Sequence, residues 1–232
     1  MHGQNPIRKA NYFTSDLRVQ EIFRTIQSEG PFAGHGAIFI RLAGCSLKCW
    51  FCDTDFESNY DNIMKPREIR QKVAELINGD SIKLAVITGG EPMLQHLAPT
   101  ISQLVMDLGM HVQIETSGTH CAPSIPLLAS GKNLTIVCSP KTPKINKAIE
   151  DNCRHWKYVV SYLDDPQTRH SQNPEIYKDP FFPRSPGNII YIQPMDESNE
   201  YTNMLNIQHC VTLCQKKGYV LSLQTHKMIG LP

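Results

Sequence analysis

Short β-branched apolar runs alternate with longer amphipathic stretches along this chain. Residues 37–42 (AIFIRL) and 84–88 (LAVIT) have the length and composition of strands. Between them, Pro66–Ile77 has helical spacing, opens on a proline and is followed by Gly79, which predicts a helix with a defined start and stop. Residues 95–108 place Leu97, Ile101, Leu104 and Leu108 on one stripe and predict a second helix. Residues 112–115, Leu134–Cys138, 157–160 and 189–193 continue the strand series. Residues 203–217 form a helix stopped by Gly218, and 219–223 (YVLSL) a last strand. This alternation predicts an α/β fold with a parallel sheet and crossover helices. About six core strands with only about three full helices predict a partial, open TIM-like β/α barrel, not eight closed units.

Composition narrows the picture. The chain has 232 residues, 41% of them hydrophobic, enough for one domain with a substantial core. Its 23 basic and 22 acidic residues leave a net charge of +1, so there is no global electrostatic case for direct nucleic-acid binding. No apolar run approaches the ~18 residues of a membrane span. Residues 1–20 read as a flexible leader without a secretory core, ahead of a core domain over 21–232. Residues 164–187 hold five prolines and no periodicity, and read as a long inserted loop. Eight cysteines in a chain with no signal peptide suit reduced thiols in a cytoplasm better than a disulfide framework. Cys210 and Cys214, one helical turn apart beside His209, read as ordinary thiols.

Three of those cysteines differ. Cys45, Cys49 and Cys52, in CSLKCWFC, can wrap one metal centre from a single loop. Four thiolates would close a site; three leave a position open. The alternative is a zinc knuckle completed by Asp53 or a distant histidine. The CX3CX2C spacing resembles the cluster loop of radical S-adenosylmethionine (SAM) enzymes, in which three cysteines hold a 4Fe–4S cluster and SAM chelates the fourth iron. Some 36 residues on, TGGEP (88–92) follows a strand. There Gly90 and Glu91 match the superfamily motif that meets the SAM amino group. Glu115 and Ser117 in ETSGT, and Ser139, Pro140 and Lys141 in SPK, sit at later strand ends, where α/β barrels place their sites. They are candidates for the ribose and carboxylate of SAM, with Lys141 as counter-ion.

The resemblance narrows further. EIFRTIQSEG (21–30), AIFIRLAGC (37–45), CWFCDT (49–54), TGGEP, ETSGT, SPK, QP (193–194) and QTHK (224–227) occur in order. Together they resemble the 7-carboxy-7-deazaguanine synthase family of queuosine biosynthesis. That resemblance implies cluster ligation by Cys45, Cys49 and Cys52, and SAM contacts from Phe51, Cys52, Asp53, Gly90, residues 139–141, Gln193, Pro194, Met195 and Asp196. It implies Mg²⁺ at Thr54, a hard oxygen donor. It implies substrate contacts at Ile26, Gln27, Ser28, Arg41, Thr88, His226 and Pro232, with Arg41 gripping a carboxylate. Arg41 has Glu91 and Asp53 as alternative ion-pair partners, and His226 could instead pack on the last strand. The family stretch is usually QGEG, and Ser28 departs from it.

The implied reaction converts 6-carboxy-5,6,7,8-tetrahydropterin into 7-carboxy-7-deazaguanine with loss of ammonia, as a radical SAM carbon–nitrogen lyase. The implied partners are a flavodoxin or ferredoxin electron donor and a second copy in a homodimer. A glycyl-radical-enzyme activase is the rival enzyme reading, since it shares the cysteine spacing.

Overall fold

The computed structural model describes residues 5–49, 51–162, 181–183 and 186–231. Among the described residues, nine strands form one sheet. β1 (Leu17–Ile26) lies antiparallel between β2 (Gly36–Leu42) and the two-residue β3 (Ile63–Met64). From β2 onward every pairing is parallel, through β4 (Leu84–Gly89), β5 (His111–Thr116), β6 (Leu134–Cys138), β7 (His155–Val160), β8 (Ile189–Pro194) and β9 (Val220–Leu221). Six of these parallel strands are of full length, and the sheet stays open, as a partial barrel requires. The last strand is shorter than the YVLSL pattern suggests, because only Val220 and Leu221 pair with β8.

The helices are α1 (Pro66–Ile77), α2 (Ala98–Leu108), α3 (Ile125–Ala129), α4 (Lys147–Asn152), α5 (Glu200–Lys217) and α6 (Thr225–Ile229). α1 has the predicted bounds: Pro66 fixes its first turn, and Asn78 in the left-handed region ends it. α2 starts later than its apolar stripe because Pro92–Leu94 forms a separate 3₁₀ turn. α5 starts earlier, where the Asn199 side chain accepts from the Thr202 N–H as an N-cap. Among the described residues, no helix is long and apolar enough to cross a membrane.

The two faces of the sheet differ. Ile87, Val112, Ile114, Trp156, Tyr158 and Ile192 point to the helix side and pack in the main core with Ile101, Leu104 and Leu213. Their neighbours one residue along point the other way, as the strand period requires. That face carries Arg41, Thr88, Gln113, Glu115, Lys157 and Gln193, and Gln113, Lys157 and Gln193 are buried despite their polarity.

One sequence expectation needs correction. The expected leader of residues 1–20 runs too far: Leu17 and Val19 are core residues of β1. A register shift between Val19 and Glu21 breaks the strict alternation and hides this strand in the sequence. The chain ahead of it is also engaged. Ile7 bridges to Cys45, the Arg8 N–H donates to the Cys45 carbonyl (2.7 Å), and the Tyr12 hydroxyl donates to the Met93 carbonyl (2.7 Å). Most of the proline-rich segment 164–187 lies outside the described residues. Within it, Phe181 and Phe182 pack on Trp156 and Tyr158 at ring separations of 5.3 and 5.5 Å.

Gly89 and Gly109 separate two costs of adding a methyl group. Both have positive φ, but a Cβ at Gly89 would lie 2.1 Å from the Leu42 carbonyl oxygen, whereas Gly109 faces open space. Gly109→Ala is expected to cost about 1 kcal/mol, the penalty of a left-handed alanine. Gly89→Ala is expected to cost more than about 3 kcal/mol, because strand backbones must separate. Chemical denaturation of the two variants checks this, and equal midpoints would refute the close approach.

Candidate active site

The C-terminal ends of the parallel strands open onto a cavity of about 400 Å³, within the usual range for small-molecule sites. Cys45, Cys49 and Cys52 line it together with Arg41, Thr88 and Glu115. Every residue expected at the site reaches this cavity except four. Glu91, Pro140 and Pro194 do not line it, and Pro232 lies outside the described residues.

Glu91 is spent inside the protein. Its carboxylate accepts from the Met93 N–H (3.0 Å), the Thr116 hydroxyl (2.7 Å), and the Ser117 N–H (2.8 Å) and hydroxyl. It ties the turn after β4 to the end of β5. Pro194 closes the ladder between β7 and β8 opposite Val160. The cluster loop is fixed next to that turn. The Gly90 N–H donates to the Leu42 carbonyl (3.1 Å), and the Glu91 N–H donates to the Gly44 carbonyl (3.0 Å). A Cβ at Gly90 would sit 2.1 Å from the Gly44 oxygen, so only glycine allows this contact.

Burial pushes the Cys45 thiol up to about 12 and raises Cys49 and Cys52 as well. The Lys141 ammonium opposes this at Cys49 and Cys52, while burial lowers its own proton affinity. Lys141 donates to the Ser139 hydroxyl (2.7 Å) and lies 5.2 Å from the centre of the Phe51 ring. Thiols in such surroundings stay protonated until a metal centre displaces the protons. No three His, Cys, Asp or Glu side chains among the described residues gather around one point. The three cysteines line the same cavity, and three thiolates are the donor set of an iron–sulfur cluster with one position left open. Gln193 also lines this cavity, and its buried Oε1 has no partner among the described residues.

The cavity floor is a buried charge network. Glu115 accepts from Gln27 Nε2 (3.1 Å), Thr88 Oγ1 (3.1 Å) and Gln113 Nε2 (3.0 Å). Burial alone would raise its pKa, but the Lys157 charge and those hydrogen bonds outweigh it and hold the carboxyl below its usual range. Lys157 is ion-paired with Glu29, and the two carboxylates hold its ammonium above the usual lysine range against the effect of burial. Glu115 therefore sits among the residues expected to meet substrate, not on the Ser139–Lys141 side. Neither Glu29 nor Lys157 stands out in the sequence: a lysine alternating along a strand looks like a solvated position, and its partner is 128 residues away.

Arg41 pairs with Glu21, its register partner across β1 and β2, and not with Glu91 or Asp53. Its Nε is buried without a partner among the described residues, and the side chain as a whole lines the cavity. Thr54 donates weakly to Asp53 Oδ1 (3.4 Å). His226, in α6, comes to the site: its Nδ1 lies 2.6 Å from the Ser28 hydroxyl. Lys227, beside it, pairs with Asp53 (2.7 Å) and Asp196 (2.6 Å). The QTHK string is the one sequence signal for this corner.

Known proteins resemble this chain in sequence and fold. Residues 39–159 match the model of the radical SAM superfamily. A 7-carboxy-7-deazaguanine synthase from Rickettsia prowazekii is 39% identical over 241 residues, covering 100% of this chain and 96% of its own length. One from Rhodospirillum rubrum is 32% identical, with 100% of both chains covered. The crystal structure of QueE from Escherichia coli superposes with a TM-score of 0.64 at 25% identity, covering 90% of this chain and 94% of that one. Streptococcus suis SuiB, at 16% identity and a TM-score of 0.50, shares the fold. A cavity that joins a three-cysteine loop to a polar floor, together with full-length likeness to these enzymes, places the chain in the 7-carboxy-7-deazaguanine synthase family of the radical SAM superfamily.

Proposed function

We propose that this chain converts 6-carboxy-5,6,7,8-tetrahydropterin into 7-carboxy-7-deazaguanine with release of ammonia, in 7-deazapurine (queuosine) biosynthesis. The observation that carries the reading is that one cavity holds both the three thiols and a ring of polar groups suited to a small heterocyclic acid. The activity for which the relatives are named gives the product class.

Cys45, Cys49 and Cys52 would hold the 4Fe–4S cluster, with SAM along the wall formed by Phe51, Gly90, Ser139, Gln193 and Met195. Bound together, cluster and SAM supply hydrogen-atom abstraction, chemistry no side chain offers. The protein's own share is binding and orientation. Arg41, in the cavity lining, would offer its guanidinium to the substrate carboxylate. Gln27, Thr88 and Glu115 form a fixed set of donors and acceptors for the ring edge. Because these groups already bond one another, little reorganisation accompanies binding. His226 faces the same space. Thr54 is the Mg²⁺ ligand in this reading, the ion keeping water and substrate oxygens as its other ligands.

All eight cysteines are free thiols, which suits a reducing cytoplasm. A flavodoxin or ferredoxin would supply the electron, and the family resemblance favours a homodimer. An anaerobic turnover assay with the tetrahydropterin acid, SAM, reductant and Mg²⁺ tests the reading. A deazaguanine chromophore is expected, and SAM cleavage without one would move the chain to another substrate.

Two substitutions probe the parts. Cys49→Ala is expected to abolish the brown cluster absorbance and turnover together; an unchanged spectrum would refute its role as ligand. Thr54→Val is expected to lower Mg²⁺ stimulation by roughly tenfold while SAM affinity stays within about twofold, one lost oxygen donor being worth about 1 kcal/mol or more. Intact Mg²⁺ dependence would place the ion elsewhere.

A further inference from the structure

The last helix is fastened to the active site from two directions. Lys227 bridges Asp53, directly after the third cluster-loop cysteine, and Asp196, just past the end of β8. One residue earlier, His226 meets Ser28 on the turn after β1. Asp53, Asp196, Ser28, His226 and Lys227 all line the cavity. α6 has only five residues and none of them is buried, so apolar packing does not hold it in place. Its position depends on these polar contacts.

We propose that Lys227 is a positioning residue: its ammonium joins the cluster loop to the end of β8 and so completes the cavity wall only when α6 is docked. Asp53 and Asp196 converge on one cation. Without it, two carboxylates would face each other across the rim and repel. Asp196 has other anchors, in the Asn203 side-chain amide (2.9 Å) and the Ser198 N–H (3.0 Å). The other side chain that donates to Asp53 among the described residues is Thr54, at a long 3.4 Å. Loss of Lys227 should therefore release the loop side of the bridge more than the β8 side. Ser28 adds a further contact, since its hydroxyl occupies the Nδ1 face of His226 and leaves Nε2 as the other ring nitrogen.

Two readouts test this. Only the second rests on the proposed use of SAM. The first is hydrogen–deuterium exchange of the full chain without added cofactors. Lys227→Met is expected to speed exchange by roughly tenfold both in 224–231 and around Asp53, with little change at residues 193–198; a charge-keeping Lys227→Arg should restore protection. Faster exchange confined to 224–231 would overturn the bridge, and so would unchanged exchange throughout. The second is SAM binding by the anaerobically reconstituted enzyme. Lys227→Met should raise the dissociation constant roughly five- to tenfold, as expected for one partly exposed two-carboxylate bridge, and Lys227→Arg should restore it. Equal affinity for wild type and Lys227→Met would refute the positioning role. Failure of the wild type itself to bind SAM would refute the functional reading and leave the exchange result to decide the bridge.

Discussion

The site depends on one close passage of backbone over backbone. Gly89 and Gly90 run against Leu42 and Gly44 with no room for a side chain, and two N–H···O bonds lock them there. Cys45 is the next residue after Gly44, so the first sulfur is placed by strand pairing, not by loop conformation. Glu91 extends the same lock sideways to the end of β5. Three neighbouring strand ends therefore share one rigid frame, and the remaining cysteines hang from it on a short tether.

The inner face of the sheet shows how such a frame tolerates charge. Glu29, Lys157 and Glu115 carry one positive and two negative charges with little water nearby. Burying them apart would cost several kcal/mol per ion. Together, with three neutral donors on Glu115 alone, each charge finds opposite charge or hydrogen bonds. The polar floor is thus preorganised, which favours a ligand rich in fixed donors and acceptors over a flexible peptide. That, with the relatives, separates this chain from activases that act on a protein backbone.

What can be read from the sequence tracks how local each signal is. α1 is legible in full because proline and the Asn78–Gly79 stop bracket it. The cysteine loop and TGGEP are legible because their residues are neighbours in the chain. β1 is not, because its bulge shifts the alternation midway. Glu29–Lys157 and Lys227–Asp53 are not, because their partners are 128 and 174 residues apart and no composition signal links them. Glu91 shows a position that is legible while its role is not. A carboxylate after GG at a strand end suggests a ligand contact, whereas four internal donors claim it.

The segment ahead of β1 carries a practical consequence for handling the protein. Asn5 already touches the cavity, Ile7 pairs with Cys45, and Arg8 stacks 3.6 Å over the Tyr60 ring while bonding Glu57. Removing residues 5–8 would strip a backbone hydrogen bond from Cys45 and an ion pair from Glu57, loosening the support beneath the first sulfur donor.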